Sequence, residues 1–357
     1  MRRTVMGVLA VLGLSAGAAQ GQYLMVPESQ TDTIWLFDPQ NGSLVTQQWA
    51  DMSFLGLPGD VLPLQAIQVG REIWVTDQAA DTIAIFRVSK NTPELLTTIS
   101  GATTGGLDNI RGIAYTDGVV FVANAGTGNG APGTAILRID PATRTVLGNF
   151  AVPSSPWGVL PYNGELLIAL SGSSGGNRIV RYSTSGTYLG DFVPVTTSGI
   201  RFPYQLAVKD NGNILAAGFS PPNLLWEYSP TGEQIRSFTN SGGNRGIFPL
   251  RDGNVLYTNG TGILIHNETT GASSYAFGSG AESWSFRFIS PLCLADYDGS
   301  GFVDSDDFTD FVGNFTLGCT APANPDPACT WSADIDGSGF VDSDDFVTFV
   351  DAFTVGC

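Results

Sequence analysis

Short apolar runs separated by glycine-rich turns fill the chain from Tyr23 to Ser290, and almost none of this stretch repeats with a helical period. Two kinds of turn recur. Asp117-Gly118, Asn163-Gly164, Asn211-Gly212 and Asp252-Gly253 each divide two apolar runs, as tight hairpin turns do. They follow one another at 46, 48 and 41 residues. A second turn comes further on: Asp38-Pro39, Asp140-Pro141, and the segments starting at Tyr182, Tyr228 and His266. Four strands and two turns in every 40 to 50 residues are the rhythm of a β-propeller blade.

Aligning the turns gives six blades. From the second to the sixth they run from Gln65 to Ile99, Ile110 to Phe150, Trp157 to Phe192, Pro203 to Phe238 and Arg245 to Phe277. The first blade begins in its second strand, because Tyr23-Leu-Met-Val-Pro aligns with Val120-Phe-Val-Ala-Asn. Its innermost strand is expected from Trp284 to Ile289, which closes the ring one strand against three and removes two sheet edges. The expected fold class is therefore mainly β: a six-bladed propeller over residues 22–291, followed by a small α-helical module over 292–357.

The period changes in that module. Phe308, Phe311, Val312 and Phe315, and again Phe346, Phe349, Val350 and Phe353, stand at i, i+3, i+4 and i+7, which predicts two amphipathic helices. Each helix follows nearly the same acidic loop. Counted from Asp296, carboxylates occupy loop positions 1, 3, 9 and 12 (Asp296, Asp298, Asp304, Asp307), with Ser300 at 5 and glycine at 6. Asp334, Asp336, Ser338, Asp342 and Asp345 repeat the series. Calcium takes about six to eight oxygens, and this spacing turns alternate side chains inward, with a backbone carbonyl at position 7 from Phe302 or Phe340. Two calcium ions are expected as cofactors.

A loop feeding a single helix, with Asp rather than Glu at position 12, resembles the dockerin modules. The resemblance spans Leu292 to Cys357, and the endings Gly318-Cys319 and Gly356-Cys357 look like the cysteine-bearing variety of secreted bacterial proteins. Ser300 and Ser338 depart from the Asp or Asn that dockerins usually carry. The resemblance implies docking to a cohesin-like protein or a cell-surface component. It assigns the partner contact to loop positions 10 and 11, here Ser305 with Asp306 and Ser343 with Asp344, whose identity in both copies implies two docking orientations. The propeller region resembles the NHL, streptogramin-lyase-like and gluconolactonase-like propellers, through openings such as Pro156-Trp-Gly-Val and Asn109-Ile-Arg-Gly-Ile.

Charge sharpens this division. Of the formal net charge of -17, the segment from Cys293 onward holds -13, with thirteen Asp and no Glu, Lys, Arg or His. The acidity belongs to the loops and argues against nucleic acid as a partner. All four cysteines lie in the same segment, at 293, 319, 329 and 357, and an even number in an exported chain suggests two disulfides. Spacing alone leaves three pairings open. The dockerin resemblance, with helices antiparallel, favours Cys293 with Cys357 and Cys319 with Cys329. At the other terminus Arg2 and Arg3 precede an apolar run and small residues to Ala19, the pattern of a signal peptide over residues 1–21. A secreted protein, extracellular or at the cell surface and without a membrane span, is expected.

A propeller offers ligands the face where inner strands begin and second strands end. Inner-strand starts are expected at Gln65, Arg111, Trp157, Tyr204, Arg245 and Trp284, and second-strand ends at Glu28, Asp77, Asn124, Ser171 and Asn259. Such a ring suits an anionic or sugar-like ligand, a small molecule or a glycan. Aromatics and arginines plugging the axis is the plainer expectation. The main functional expectation is thus a binding or scaffold propeller, with an exported metal-dependent lactonase or polysaccharide-active enzyme as the competing class. For a lactonase-like metal site Glu28, Asp77, Asn124 and Asn259 offer the oxygens, for a glycosidase Glu28 and Asp77 are the neighbouring carboxylate pair, and the single histidine, His266, falls at an outer turn.

Overall fold

The computed structural model describes residues 22–53, 60–172, 176–194, 199–239, 242–299, 303–320, 328–329 and 331–356. Six four-stranded antiparallel sheets surround an axis, as the turn spacing predicts. The second blade shows the common plan: Pro63–Val69 innermost, then Glu72–Asp77, Thr82–Arg87 and Leu95–Ser100. Its second strand is buried on both faces because neighbouring blades cover it, whereas Leu95–Ser100 is largely accessible at the rim. The inner strands of the following blades are Ile110–Thr116, Ser155–Tyr162, Pro203–Val208 and Ile247–Pro249.

Closure is of the expected kind but shifted along the chain. The strand paired with Tyr23–Glu28 is Ser290–Leu292, not the segment 284–289. That segment does run beside its neighbour: Phe286 bridges Glu28, and Arg287 N donates to the Pro27 carbonyl at 2.9 Å. Between Phe286 and Ser290 the register slips by one residue, which breaks the ladder. The inner strands of the second to fifth blades slip at the same place, for example between Ile110 and Ile113 and between Pro156 and Val159. Each slip is a bulge that turns the strand toward the axis, where adjacent backbones crowd. A Cβ at Gly112 would overlap the Trp157 carbonyl, and one at Gly158 the Tyr204 carbonyl, so these positions need glycine.

After the ring, Ser305–Thr316 and Ser343–Val355 form the two predicted helices. Phe311 and Phe349 stack at 4.1 Å between ring centroids, with Tyr297, Ala333 and Ile335 completing a small core. Phe308 meets Phe353 and Phe315 meets Phe346, so the helices are antiparallel. Of the predicted apolar face, Phe308 and Phe346 stay 40% and 37% exposed, because each sits in the first helical turn at the rim of the pair. Cys319 is bonded to Cys329. Cys293 is also oxidised, and the partner expected for it, Cys357, lies outside the described residues.

The tail is packed against the ring rather than strung out behind it. Leu294, Ala295 and Ala352 share one apolar cluster with Met25, Trp49, Met52 and Ile73 of the first two blades. Gln22 clamps both ends of the tail, accepting from Leu294 N at 2.8 Å and donating to the Ala352 carbonyl at 2.6 Å. Gln68 does the same for the backbone of Cys293, and Lys90 N donates to the Ile335 carbonyl at 3.1 Å.

Candidate metal centres and the axial ring

Each acidic loop brings three carboxylates together. Oxygens of Asp296, Asp298 and Asp307 lie within 4.8 Å of one another, and so do those of Asp334, Asp336 and Asp345. Backbone amides aim them. Asp345 accepts from Ile335 N at 2.8 Å and Asp336 N at 3.0 Å through one oxygen, and from Asp342 N at 3.0 Å through the other. Asp307 takes Asp298 N and Asp304 N in the same way, at 3.0 and 2.9 Å. Asp334 accepts from Ser338 N and Gly339 N, which wraps the second loop around its own first ligand.

The position-9 carboxylates do other work. Asp304 and Asp342 cap the helices, accepting from Asp306 N at 2.8 Å and Asp344 N at 2.9 Å, and they stand outside the triads. Ser338 and Phe340 lie on the exposed side of the second loop, while Ser300 and Phe302 fall outside the described residues. Burial pushes Asp307, Asp334 and Asp345 above the usual carboxylate range, and neighbouring Asp298 or Asp336 adds to the push. Asp307 and Asp345 are fully buried, and the tail contains no Lys or Arg to neutralise them. Three hard, anionic oxygen donors converging on one point fit a divalent cation such as calcium.

Arg71 is a neighbour that the loop spacing did not point to. Its guanidinium lies 4.2 Å from the centre of the Tyr297 ring, beneath the first loop and within electrostatic reach of Asp296 and Asp307. Only the fold brings the turn between the first two strands of the second blade under that loop.

On the axial face the expected second-strand residues are present, but their polar atoms bind the chain itself. Glu28 accepts from Ser285 N at 2.7 Å, Gln30 N and Thr31 N; Asp77 accepts from Leu62 N, Ala79 N and Ala80 N. Asn124 accepts from Asp108 N and donates to the Gly126 and Gly133 carbonyls, and Asn259 accepts from Thr261 N. These residues fasten loops to strand starts. Ser171 donates to the Ser155 carbonyl at 3.5 Å. His266 is buried at the end of a third strand, 4.4 Å from the Phe238 ring and 3.2 Å from Ser273 Oγ, and burial lowers its pKa.

The axis itself is filled by stacked side chains. Arg111 lies 3.8 Å over Trp157, which meets Tyr204 at 4.3 Å and Phe202 at 5.0 Å. Tyr204 continues to Phe288 at 5.0 Å, and Arg245 stands 5.6 Å from Phe219. Two expected starts are corrected. Trp284 packs away from the axis with Trp35, Phe277 and Phe286, and the residue aligned with Arg111 in the closing segment is Arg287. Gln65 stands one place further in, where it accepts from Ile113 N and donates to Ser290 Oγ. The unseen bulge accounts for the misplaced tryptophan.

No family model and no curated protein matches this chain. Among solved structures, it is similar to a protein of unknown function from Bacteroides caccae, with 14% identity, a TM-score of 0.55, and coverage of 76% of this chain and 99% of that one. A chain of a nidogen/laminin complex gives 13% identity, a TM-score of 0.57, and coverage of 75% and 97%. At such identity the likeness is one of fold, and it supports the propeller.

Proposed function

We propose that the protein is an exported, calcium-binding scaffold. The ring presents a binding surface, and the tail, a dockerin-like module with two calcium ions, attaches it to a cohesin-like partner or a cell-surface component. The observation that carries this reading is the repeated carboxylate triad, Asp296 with Asp298 and Asp307 and Asp334 with Asp336 and Asp345, each leading into a capped helix. Asp304 and Asp342, the Ser300 and Ser338 hydroxyls and the Phe302 and Phe340 carbonyls would complete the two oxygen shells. Bound calcium would neutralise the converging charge and so fix each loop against its helix.

The docking surface in this reading is formed by Ser305, Asp306, Ser343 and Asp344. All four are exposed, at the starts of two antiparallel helices, so a half-turn of the pair exchanges them. Export draws support from the apolar N-terminal run and from the Cys319–Cys329 disulfide, a bond suited to an oxidising compartment. No helix among the described residues is long and apolar enough to cross a membrane. The catalytic alternative gains no support from Glu28, Asp77 and Asn124, whose polar atoms are committed to the backbone.

Calorimetric titration of the chelator-stripped full chain tests the reading. Two equivalents of calcium are expected, and Asp307→Asn or Asp345→Asn should each remove one; a chain that takes up no calcium refutes it. For docking, replacing Ser305, Asp306, Ser343 and Asp344 by lysine should abolish capture by an immobilised cohesin domain while calcium uptake persists.

A further inference from the structure

Two sets of arginines in this protein are held in different ways. At the rim, Arg87, Arg144, Arg178, Arg181 and Arg236 each meet a carboxylate within 4.0 Å. Those at the axis do not. Arg111 donates to Ser155 Oγ at 2.7 Å and to the Pro156 carbonyl at 3.1 Å, and its Nε is buried without a partner. Arg287 donates to Ser29 Oγ at 2.8 Å and to the Tyr204 hydroxyl at 3.4 Å. Among the described residues the Arg245 guanidinium meets no hydrogen-bond acceptor, and its Nε and Nη1 are shut off from solvent.

That is an expensive arrangement for a cation. A guanidinium removed from water without an acceptor loses hydration that nothing replaces, and two of them near each other also repel. Burial and then Arg287 lower the pKa of Arg245, and burial brings Arg111 down to about 10. The nearby carboxylate, Glu28, offsets this only in part: its charge favours the Arg245 cation, but Ser285 N occupies one of its oxygens while Gln30 N, Thr31 N and the Thr31 hydroxyl share the other. Half-buried aromatic rings, Trp157, Phe202 and Phe219, lie beside the arginines and leave part of their surface open.

We propose that this axial mouth binds an acidic sugar: Arg245 and Arg287 grip its oxyanion, and Phe219 receives the apolar face of its ring, with Trp157 close by as a reporter. The proposal rests on reading the ring as a binding scaffold and supplies the ligand class for it. Guanidinium forks match the geometry of a carboxylate or sulfate, and a sugar ring stacks on aromatics as a bare inorganic anion does not. The two sources of such an oxyanion, a uronic acid and a sulfated sugar, share this chemistry and are separated by the test.

The test uses the full chain with calcium in constant excess, titrated with glucuronate, glucose 6-sulfate, inorganic sulfate and glucose, and followed by calorimetry and tryptophan fluorescence. Saturable binding is expected for at least one of the two acidic sugars, with inorganic sulfate weaker and glucose silent. Arg245→Gln and Arg287→Gln should each weaken it by roughly ten- to a hundredfold, the effect of losing one charge-assisted contact, while Arg245→Lys should retain part of it. Circular dichroism of the variants confirms that the ring is folded. The proposal is overturned if neither acidic sugar binds below about 10 mM, if glucose binds as well as they do, or if both glutamine variants bind unchanged. Calcium uptake measured on the same samples keeps this outcome separate from the fate of the tail.

Discussion

Asp307 and Asp345 combine full burial with an acidic neighbourhood, and that combination has a measurable cost in the metal-free protein. Burial raises their pKa above that of the unfolded chain, so the ionised form opposes folding. The stability they permit is present below about pH 4, the ordinary Asp value, and is lost as pH rises through the raised folded values. Chelator-treated protein is therefore expected to become more stable as pH falls through the raised folded values toward about 4, and calcium-saturated protein to lose that trend; melting curves at each pH, with and without chelator, check it. A second expectation at this scale concerns Gly158. Its missing Cβ is the gap into which the Tyr204 carbonyl fits, so Gly158→Ala should cost about 1–3 kcal/mol in denaturant unfolding by overpacking. The convergence of Asp296 with Asp298 and Asp307, and of Asp334 with Asp336 and Asp345, was legible from one sequence because each loop is local and its carboxylates keep fixed spacing. Arg287 was not, because its place depends on a one-residue slip that leaves no mark on the alternation of apolar and polar residues.

At the scale of elements, turn chemistry was the strongest guide. Pairs such as Asp117-Gly118 and Asn163-Gly164 do sit between paired strands, and all four residues have positive φ, which explains why Asp or Asn followed by glycine recurs there. The tail helices were legible for a different reason, their 3.6-residue apolar period, but the period did not reveal which phenylalanines would be central. Antiparallel crossing puts Phe311 and Phe349 at the middle and leaves Phe308 and Phe346 at the ends. Truncation should follow that geometry. Phe349→Ala is expected to cost about 3–5 kcal/mol and Phe346→Ala markedly less, read from the loss of helical signal with denaturant in calcium-saturated protein. Equal costs for the two would mean that the stacked pair does not organise the module.

For the molecule as a whole, the seam of the ring and the start of the tail are the same piece of chain. Ser290–Leu292 closes the first blade, Cys293 is held by Gln68, and Asp296 begins the first acidic loop only a few residues later. Loop and ring also touch directly: Gly299 lies against Gly70, Gly337 against Ser89, and Tyr297 over Arg71. On the proposed reading, a cation that orders the loops would also press the tail onto the first two blades and secure the strand that closes them. Ligand at a hundredfold excess over Kd adds about 2.7 kcal/mol per site to the state that binds it. Two such sites should raise the Tm of the ring by on the order of 10 °C, given the size of the domain. The seam between ring and tail can be followed through Trp49, whose indole donates to the Lys90 carbonyl and whose cluster includes Leu294 and Ala352 of the tail. Chelation is expected to lower the melting temperature of the near-ultraviolet signal as well as the helical one, and to speed amide exchange in Tyr23–Glu28. If the helices melt on chelation while that strand and the tryptophan signal stay unchanged, tail and ring are independent bodies that happen to touch. Coincident loss would make calcium a fastener for the propeller, not only for the module that contains the loops.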